Sequence, residues 1–196
     1  MDLSFVIITK GARQSWLEKA VLSIKHQNIP HHEVIVVGKC ENLEGIIYVE
    51  DLEKGKPRNK GVEIAKYHNI VFIDDDVELL NGWYPAIKNF GEDWDLLGFR
   101  LLDKNGLRWK FDYVHADENF KPHPKPYSEA PNARIYCSTS NLLVKKCVFD
   151  TIKFRDTYYG EDMLFGLDCN SAGFKLKFCY DAIGTHYFSE LGREKV

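Results

Sequence analysis

Residues Val71–Leu79 read VFIDDDVEL: three apolar residues run directly into three consecutive carboxylates, Asp74, Asp75 and Asp76. An apolar, β-branched run that stops abruptly at charge has the pattern of a buried strand ending at a surface. Three adjacent carboxylates repel one another, and a partly buried carboxylate is stable only beside a compensating partner. A divalent cation is one such partner, because Mg²⁺ and Mn²⁺ take oxygen ligands and share their shell with substrate phosphates. A polar strand end with Asx-type turns is the plainer alternative, and it suits one or two aspartates better than three.

Working outward, the chain alternates short apolar runs with helix-like segments. LSFVIIT (Leu3–Thr9) reads as a buried strand. Residues 15–27 carry Trp16, Leu17, Ala20, Val21 and Ile24 at helical spacing, with Ser15 as the expected N-cap and Glu18 three residues on. EVIVVG and GIIYVE give two more strands. A helix is expected from Pro57 towards Tyr67, and NIVFID is a fourth strand. This βαββαβ order predicts an α/β fold with a mostly parallel central sheet flanked by helices; a small antiparallel second sheet is expected beside it. Ligands of such sheets bind at the carboxyl ends of the strands, where Asp74–Asp76 lie.

Further on, DLLGFRLL and LRWKFDYV are expected as strands joined around DKNG. Residues 115–134 hold Pro122, Pro124, Pro126 and Pro131 and read as a long binding loop. ARIYCSTSNLLVKK predicts a strand, residues 161–172 a helix stopped by Gly173, and FKLKFCY and the region around GTHYF two late strands.

The 196 residues predict one domain. A net charge of −3 argues against nucleic-acid binding driven by overall basicity. Five widely spaced cysteines, without a C-x-x-C pair, suggest reduced thiols and a cytoplasmic setting. No apolar run approaches the ~20 residues of a membrane span, and no signal peptide is evident.

Three further features carry chemistry. Glu161 and Asp162 open an apolar helix behind Gly160. They serve either as favourable charges at the helix dipole or as a general base. Lys56 and Arg58, at a helix start, suit a diphosphate, although taken without the other motifs a plain charged first turn is the favoured explanation. Gly61 inside that helix costs about 1 kcal/mol against alanine, which invites a close-packing or ligand-approach explanation. His186, in AIGTHYF, has the imidazole to complete a metal shell or to act as a hydrogen-bonded structural residue.

The segments FVIITKG, LSIKHQ, EVIVVGK, KPRNKGVEIA, IVFIDDDVEL, STSNLLVKKCVFDTIKF and GEDMLFGLDCNSAGFKLKF, in this order, resemble the family 2 glycosyltransferases of GT-A fold. The resemblance implies a single GT-A (Rossmann-like) domain over 1–196. Residues 1–100 would form the nucleotide-sugar half and 101–196 the acceptor and catalytic half. It implies that Asp74–Asp76 form the D-x-D motif, with Asp76 on a divalent metal, Mn²⁺ or Mg²⁺, and Asp74 near the ribose. Thr9, Lys10, Arg58 and Asp75 are implied on the nucleotide-sugar side, Asp162 as the base with Glu161 second, and His186 as a late metal ligand. The implied reaction moves a sugar from a nucleotide-diphosphate sugar, UDP-sugar favoured, to a hydroxyl of a glycan, lipid-linked or protein acceptor, with inversion. The setting it implies is cytoplasmic, compatible with peripheral membrane attachment. The chain departs from the family in reading Gly38–Lys39 where an acidic residue often follows the second strand. It also lacks an arginine after the Glu-Asp pair. A haloacid-dehalogenase-type phosphatase also places D-x-D after a strand, although its motif continues differently from Val77–Glu78. A non-catalytic sugar- or nucleotide-binding module, using Trp83, Trp109, Tyr158 or Tyr159 to stack on a ligand, is the third reading.

Overall fold

A computed structural model describes residues 1–41, 43–50, 57–107, 114–116, 134–136, 138–157 and 160–187. Its first half follows the expected order: β1 (Leu3–Thr9), α1 (Gln14–Lys25), β2 (His32–Gly38), β3 (Ile47–Val49), α2 (Pro57–Ile64) and β4 (Asn69–Asp74). There follow β5 (Val77–Leu79), α3 (Trp83–Phe90), β6 (Leu96–Leu102), β7 (Val114–Ala116), β8 (Arg134–Tyr136) and β9 (Leu142–Lys145). A 3₁₀ turn (Lys146–Asp150), α4 (Glu161–Ser171) and β10 (Leu176–His186) complete the described elements.

Eight strands form one sheet in the order β3-β2-β1-β4-β9-β6-β10-β5, and β7 pairs with β8 in a second, antiparallel sheet. Strands β3, β2, β1 and β4 are mutually parallel. Strand β9 runs antiparallel between β4 and β6, β10 is parallel to β6, and β5 closes the edge antiparallel to β10. The reversed direction of β9 matters, because its first residues lie at the same end of the sheet as the last residues of β1 and β4.

The strands read as unbroken apolar runs because both faces of the sheet are covered. Phe5, Ile7, Val34, Val36, Val71 and Ile73 point to one side, against Leu17, Val21 and Ile24 of α1 and Trp83 and Ile87 of α3. Val6, Ile35, Val37, Ile70 and Phe72 point to the other, against Val62 of α2 and Phe165 and Cys169 of α4. Each such side chain, taken fully out of water, contributes roughly 1.5–3 kcal/mol. On the second face Phe149, Phe154 and Phe165 stack, with Phe154 and Phe165 ring centroids 4.2 Å apart.

The structure corrects several expectations. Ser15 is not the N-cap of α1: that position is Arg13, without a side-chain cap bond, and the helix begins one residue earlier than expected and ends at Lys25. Helix α2 stops at Ile64, three residues short of Tyr67. The two late strands are one, β10, interrupted only by a register shift between Cys179 and Ile183. The single strand expected over ARIYCSTSNLLVKK is two, β8 and β9, belonging to different sheets. Helix α3 and strand β5 are found where no element was expected. Trp83 is fully buried between Phe5 and Phe99, so it is a core residue and not a stacking platform. Trp109, Tyr158, Tyr159, Lys56, most of LRWKFDYV and residues 117–133 of the expected loop lie outside the described residues. Cys40, Cys147, Cys169 and Cys179 are free thiols.

Candidate functional site

Strand β4 ends at Asp74, and Asp75 and Asp76 form a turn before β5. The backbone is therefore not extended through the triplet; Asp74 and Asp76 both face His186, while Asp75 turns to Thr9. Asp74 accepts a hydrogen bond from the Ser140 hydroxyl at 2.6 Å and lies 3.7 Å from the Arg58 guanidinium. Asp75 accepts from the Thr9 hydroxyl at 2.7 Å, and that hydroxyl in turn receives the Gly11 amide. Asp76 accepts from the Arg13 guanidinium at 2.5 Å, which also lies 3.5 Å from Asp75. His186 Nε2 sits 3.5 Å from Asp76 Oδ1 and 3.9 Å from Asp74 Oδ2.

Three segments bring partners to the aspartate turn because they meet it at one end of the sheet. The end of β1 and the β1–α1 loop bring Thr9, Lys10 and Arg13; the segment before β9 brings Ser140; the end of β10 brings His186. Gly38 is required where these loops meet: its φ is +131°, and a Cβ there would stand 1.9 Å from the Thr9 carbonyl. The Tyr187 amide donates to the Asp76 carbonyl at 3.1 Å, and the Tyr187 ring packs on Trp16 at 4.4 Å. The end of β10 is thus held against the aspartate turn.

The environments separate the carboxyl groups electrostatically. Burial pushes Asp74 up, but the His186 and Ser140 hydrogen bonds and the Arg58 charge outweigh it and hold the group at about 2. Burial dominates at Asp76, which is pushed up to about 6 despite the attraction of His186 and Arg13. Asp75 is also raised by burial, against the Thr9 bond and Arg13.

Asp74, Asp76 and His186 each offer a ligand atom within 4.8 Å of the others. Atoms bound at ~2.0–2.2 Å to one ion lie within about 4.4 Å of each other, so the set is close to the span an ion requires. Asp76 Oδ1 supports the fit: it is buried, accepts no hydrogen bond, and faces His186. An orphaned buried carboxylate oxygen is costly unless a cation completes it. Asp74, expected near a ribose, stands here in the same donor set as Asp76.

The second acidic pair approaches from α4. Gly160, at φ +73°, turns the chain into the helix, and Arg58 bonds Glu161 at 2.8 Å while facing Asp74. Arg58, expected at a diphosphate, therefore bridges the two acidic clusters. Asp162 receives the Met163 amide at 2.8 Å. Burial raises its carboxyl, with the nearby charges of Glu161 and Asp74 adding to the shift. Lys10 is exposed and forms no ion pair with the aspartates among the described residues. Arg13 and Ser140 were not expected; position just after β1 was a signal for Arg13, whereas Ser140 reaches Asp74 only because β9 runs antiparallel to β4.

The KPRNKG segment divides into separate tasks. Arg58 meets the acids. The Asn59 side chain donates to the Phe154 carbonyl at 2.8 Å and accepts the Phe154 amide at 3.0 Å. Gly61 lets α2 lie on β1, because a Cβ there would stand 2.4 Å from Val6 Cγ1. Close packing, and not ligand approach, explains that glycine.

No family profile matches the chain. It is 24% identical over 177 residues to the GalNAc(5)-diNAcBac-PP-undecaprenol beta-1,3-glucosyltransferase of Campylobacter jejuni, covering 80% of this chain and 56% of that protein. A shorter similarity, 27% over 90 residues, joins it to a putative [LysW]-lysine/[LysW]-ornithine hydrolase of Thermococcus kodakarensis, covering 45% of this chain and 25% of that one. The chain thus spans little more than half the length of the first relative and a quarter of the second. Among solved structures, S. aureus TarS 1–349 superposes with a TM-score of 0.68 over 97% of this chain and 61% of that one, at 15% identity. The fold is thus shared with TarS across almost the whole chain, and the longer sequence similarity is to a glucosyltransferase. Both agree with the resemblance to family 2 glycosyltransferases of GT-A fold. No helix among the described residues is long and apolar enough to cross a membrane.

Proposed function

We propose that the chain is a family 2 glycosyltransferase that moves a sugar from a nucleotide-diphosphate sugar, UDP-sugar first among the candidates, to an acceptor hydroxyl. The observation that carries the reading is the convergence of Asp74, Asp76 and His186 at the carboxyl ends of β4 and β10, on a fold shared with TarS. Residues 1–100 supply the donor side, with Thr9, Lys10 and Asp75 lining it, and residues 101–196 the acceptor side.

Asp74, Asp76 and His186 would hold a divalent metal, Mn²⁺ or Mg²⁺. Such an ion supplies positive charge where a diphosphate leaving group develops negative charge. The protein's own part is proton transfer and positioning. Asp162, whose carboxyl burial raises from its ordinary value, would take the acceptor hydroxyl's proton. Arg58 holds Glu161, the neighbour of Asp162, at a fixed distance from the donor acids. Attack from the face opposite the diphosphate inverts the anomeric carbon. The acceptor class that fits the named C. jejuni relative is a lipid-linked glycan, which accords with work at a membrane surface in the cytoplasm.

The test is transfer and hydrolysis of UDP-sugars with Mn²⁺, read together with nucleotide binding. Asp76→Ala should lose metal-dependent UDP binding. Asp162→Asn should keep that binding and lose transfer, a fall of about 10²–10⁴-fold for a general base. Full transfer by Asp162→Asn, or a product of retained configuration, rejects the assignment. Turnover of a generic aryl phosphate, without sugar transfer, would return the phosphatase reading.

A further inference from the structure

Asp76 is at 1% side-chain exposure, yet its two oxygens have different fates. Oδ2 is taken by Arg13, and Oδ1 turns towards His186 without accepting a hydrogen bond. Arg13 reaches in from the solvent side, with 27% of its side chain exposed, from the loop position just before α1. That loop contains Gly11 at φ +81°, packed against the Lys39 carbonyl. The guanidinium also faces Asp75 at 3.5 Å, so one cation serves two of the three adjacent carboxylates.

A divalent ion held by Asp74, Asp76 and His186 would share the Asp76 carboxylate with Arg13. Two cations on one buried carboxylate repel each other, and only one of them is on a flexible stem with an open path to water. We propose that Arg13 is the resident counter-ion of the metal-free site: it neutralises Asp76 and Asp75 when no metal is bound and withdraws towards solvent when a divalent metal takes Asp76. A divalent cation replaces a monovalent one, and the carboxylate cluster is compensated in both states. Arg13 is thus a positioning residue that sets the metal affinity by competition. This rests on the metal reading of the Asp74, Asp76 and His186 group and is independent of sugar transfer.

The two readings fail separately. Mn²⁺ alone is titrated into the wild-type chain and the Arg13→Gln and Arg13→Lys variants by calorimetry, with thermal unfolding measured in EDTA and in Mn²⁺. Removing the competitor should tighten Mn²⁺ binding by about tenfold, ~1.4 kcal/mol. It should also lower the melting temperature in EDTA and enlarge the Mn²⁺-induced rise. Arg13→Lys, which keeps the charge without the planar fork, should fall between. A residue that merely braced the metal ligands would give the opposite sign, weaker Mn²⁺ binding on removal. Unchanged or weaker Mn²⁺ binding by folded Arg13→Gln overturns the proposal, as does absence of Mn²⁺ binding in both proteins. If Arg13→Gln does not fold, Arg13→Lys decides by the same comparison: tighter binding than wild type supports the proposal, equal or weaker binding overturns it. No sugar transfer by the wild-type chain, together with tightened Mn²⁺ binding by Arg13→Gln, would reject the glycosyltransferase reading and leave this one standing.

Discussion

Gly61→Ala tests whether helix α2 is seated on β1 as closely as the packing requires. The new Cβ would stand 2.4 Å from Val6 Cγ1, 3.1 Å from Cγ2 and 3.4 Å from Cβ. Carbon atoms in good contact are about 3.5–4.0 Å apart, so the nearest overlap exceeds about 1 Å. Val6 is fully buried in the middle of β1, and its branched side chain has no alternative rotamer of low cost. Overpacking of this kind costs about 1–3 kcal/mol, and an overlap this deep belongs at the upper end. Alanine returns about 1 kcal/mol through helix propensity. The net expectation is a loss of about 2 kcal/mol. With an m-value of about 2 kcal/mol/M, the urea midpoint should fall by about 1 M without a change in m. In a Val6→Ala background the obstructing methyls are gone, and the same Gly61→Ala change should become stabilising by up to about 1 kcal/mol. This reversal of sign is the diagnostic result. A stabilising Gly61→Ala in the wild-type chain, or the same effect in both backgrounds, would refute the reasoning. Because α2 carries Arg58, the single variant should also loosen the Arg58–Glu161 bridge.

Two further changes report on neighbouring links. Asn59→Ala removes both side-chain bonds to the buried Phe154 backbone and should cost about 2 kcal/mol, measured by urea unfolding; a loss under about 0.5 kcal/mol would mean that water replaces the clamp. Asp93 is held at about 2 by Lys175 and Lys177, at 2.7 and 2.8 Å. A depressed carboxyl stabilises the fold above its unfolded value of about 3.9 and loses that contribution as pH falls through about 2. Asp93→Asn should therefore move acid unfolding to higher pH, and ~1 M salt should shrink the difference, because the group is exposed. An unchanged acid midpoint at low salt would show that the pair is energetically silent.

How much of this was legible beforehand depends on the range of the interaction. The alternation of Val6, Ile35 and Phe72 with Phe5, Val36 and Val71 writes a two-sided buried sheet into the sequence, since period-2 geometry is local. The triplet at Asp74–Asp76 is equally local, and so is the Glu161–Asp162 start of α4. These determined the fold class and the two acidic clusters. The sequence did not determine that Asp74 and Asp75 have different partners, because that depends on the turn after β4 and on loops from β1 and β9. It did not reveal that β9 runs backwards between β4 and β6, which brings Ser140 to Asp74. Nor did it separate the roles in KPRNKG, where the Asn59 clamp reaches Phe154, 95 residues away.

The sequence by itself determined a strand that ends in carboxylates and a need for positive charge beside them. Only the tertiary structure decided which charges meet which oxygens: Arg13 on Asp76, Arg58 between Glu161 and Asp74, and His186 between Asp74 and Asp76. The physical reason is distance along the chain. Strand and helix periodicities act over a few residues, whereas charge compensation in a buried cluster is settled between segments that meet only after the sheet has closed.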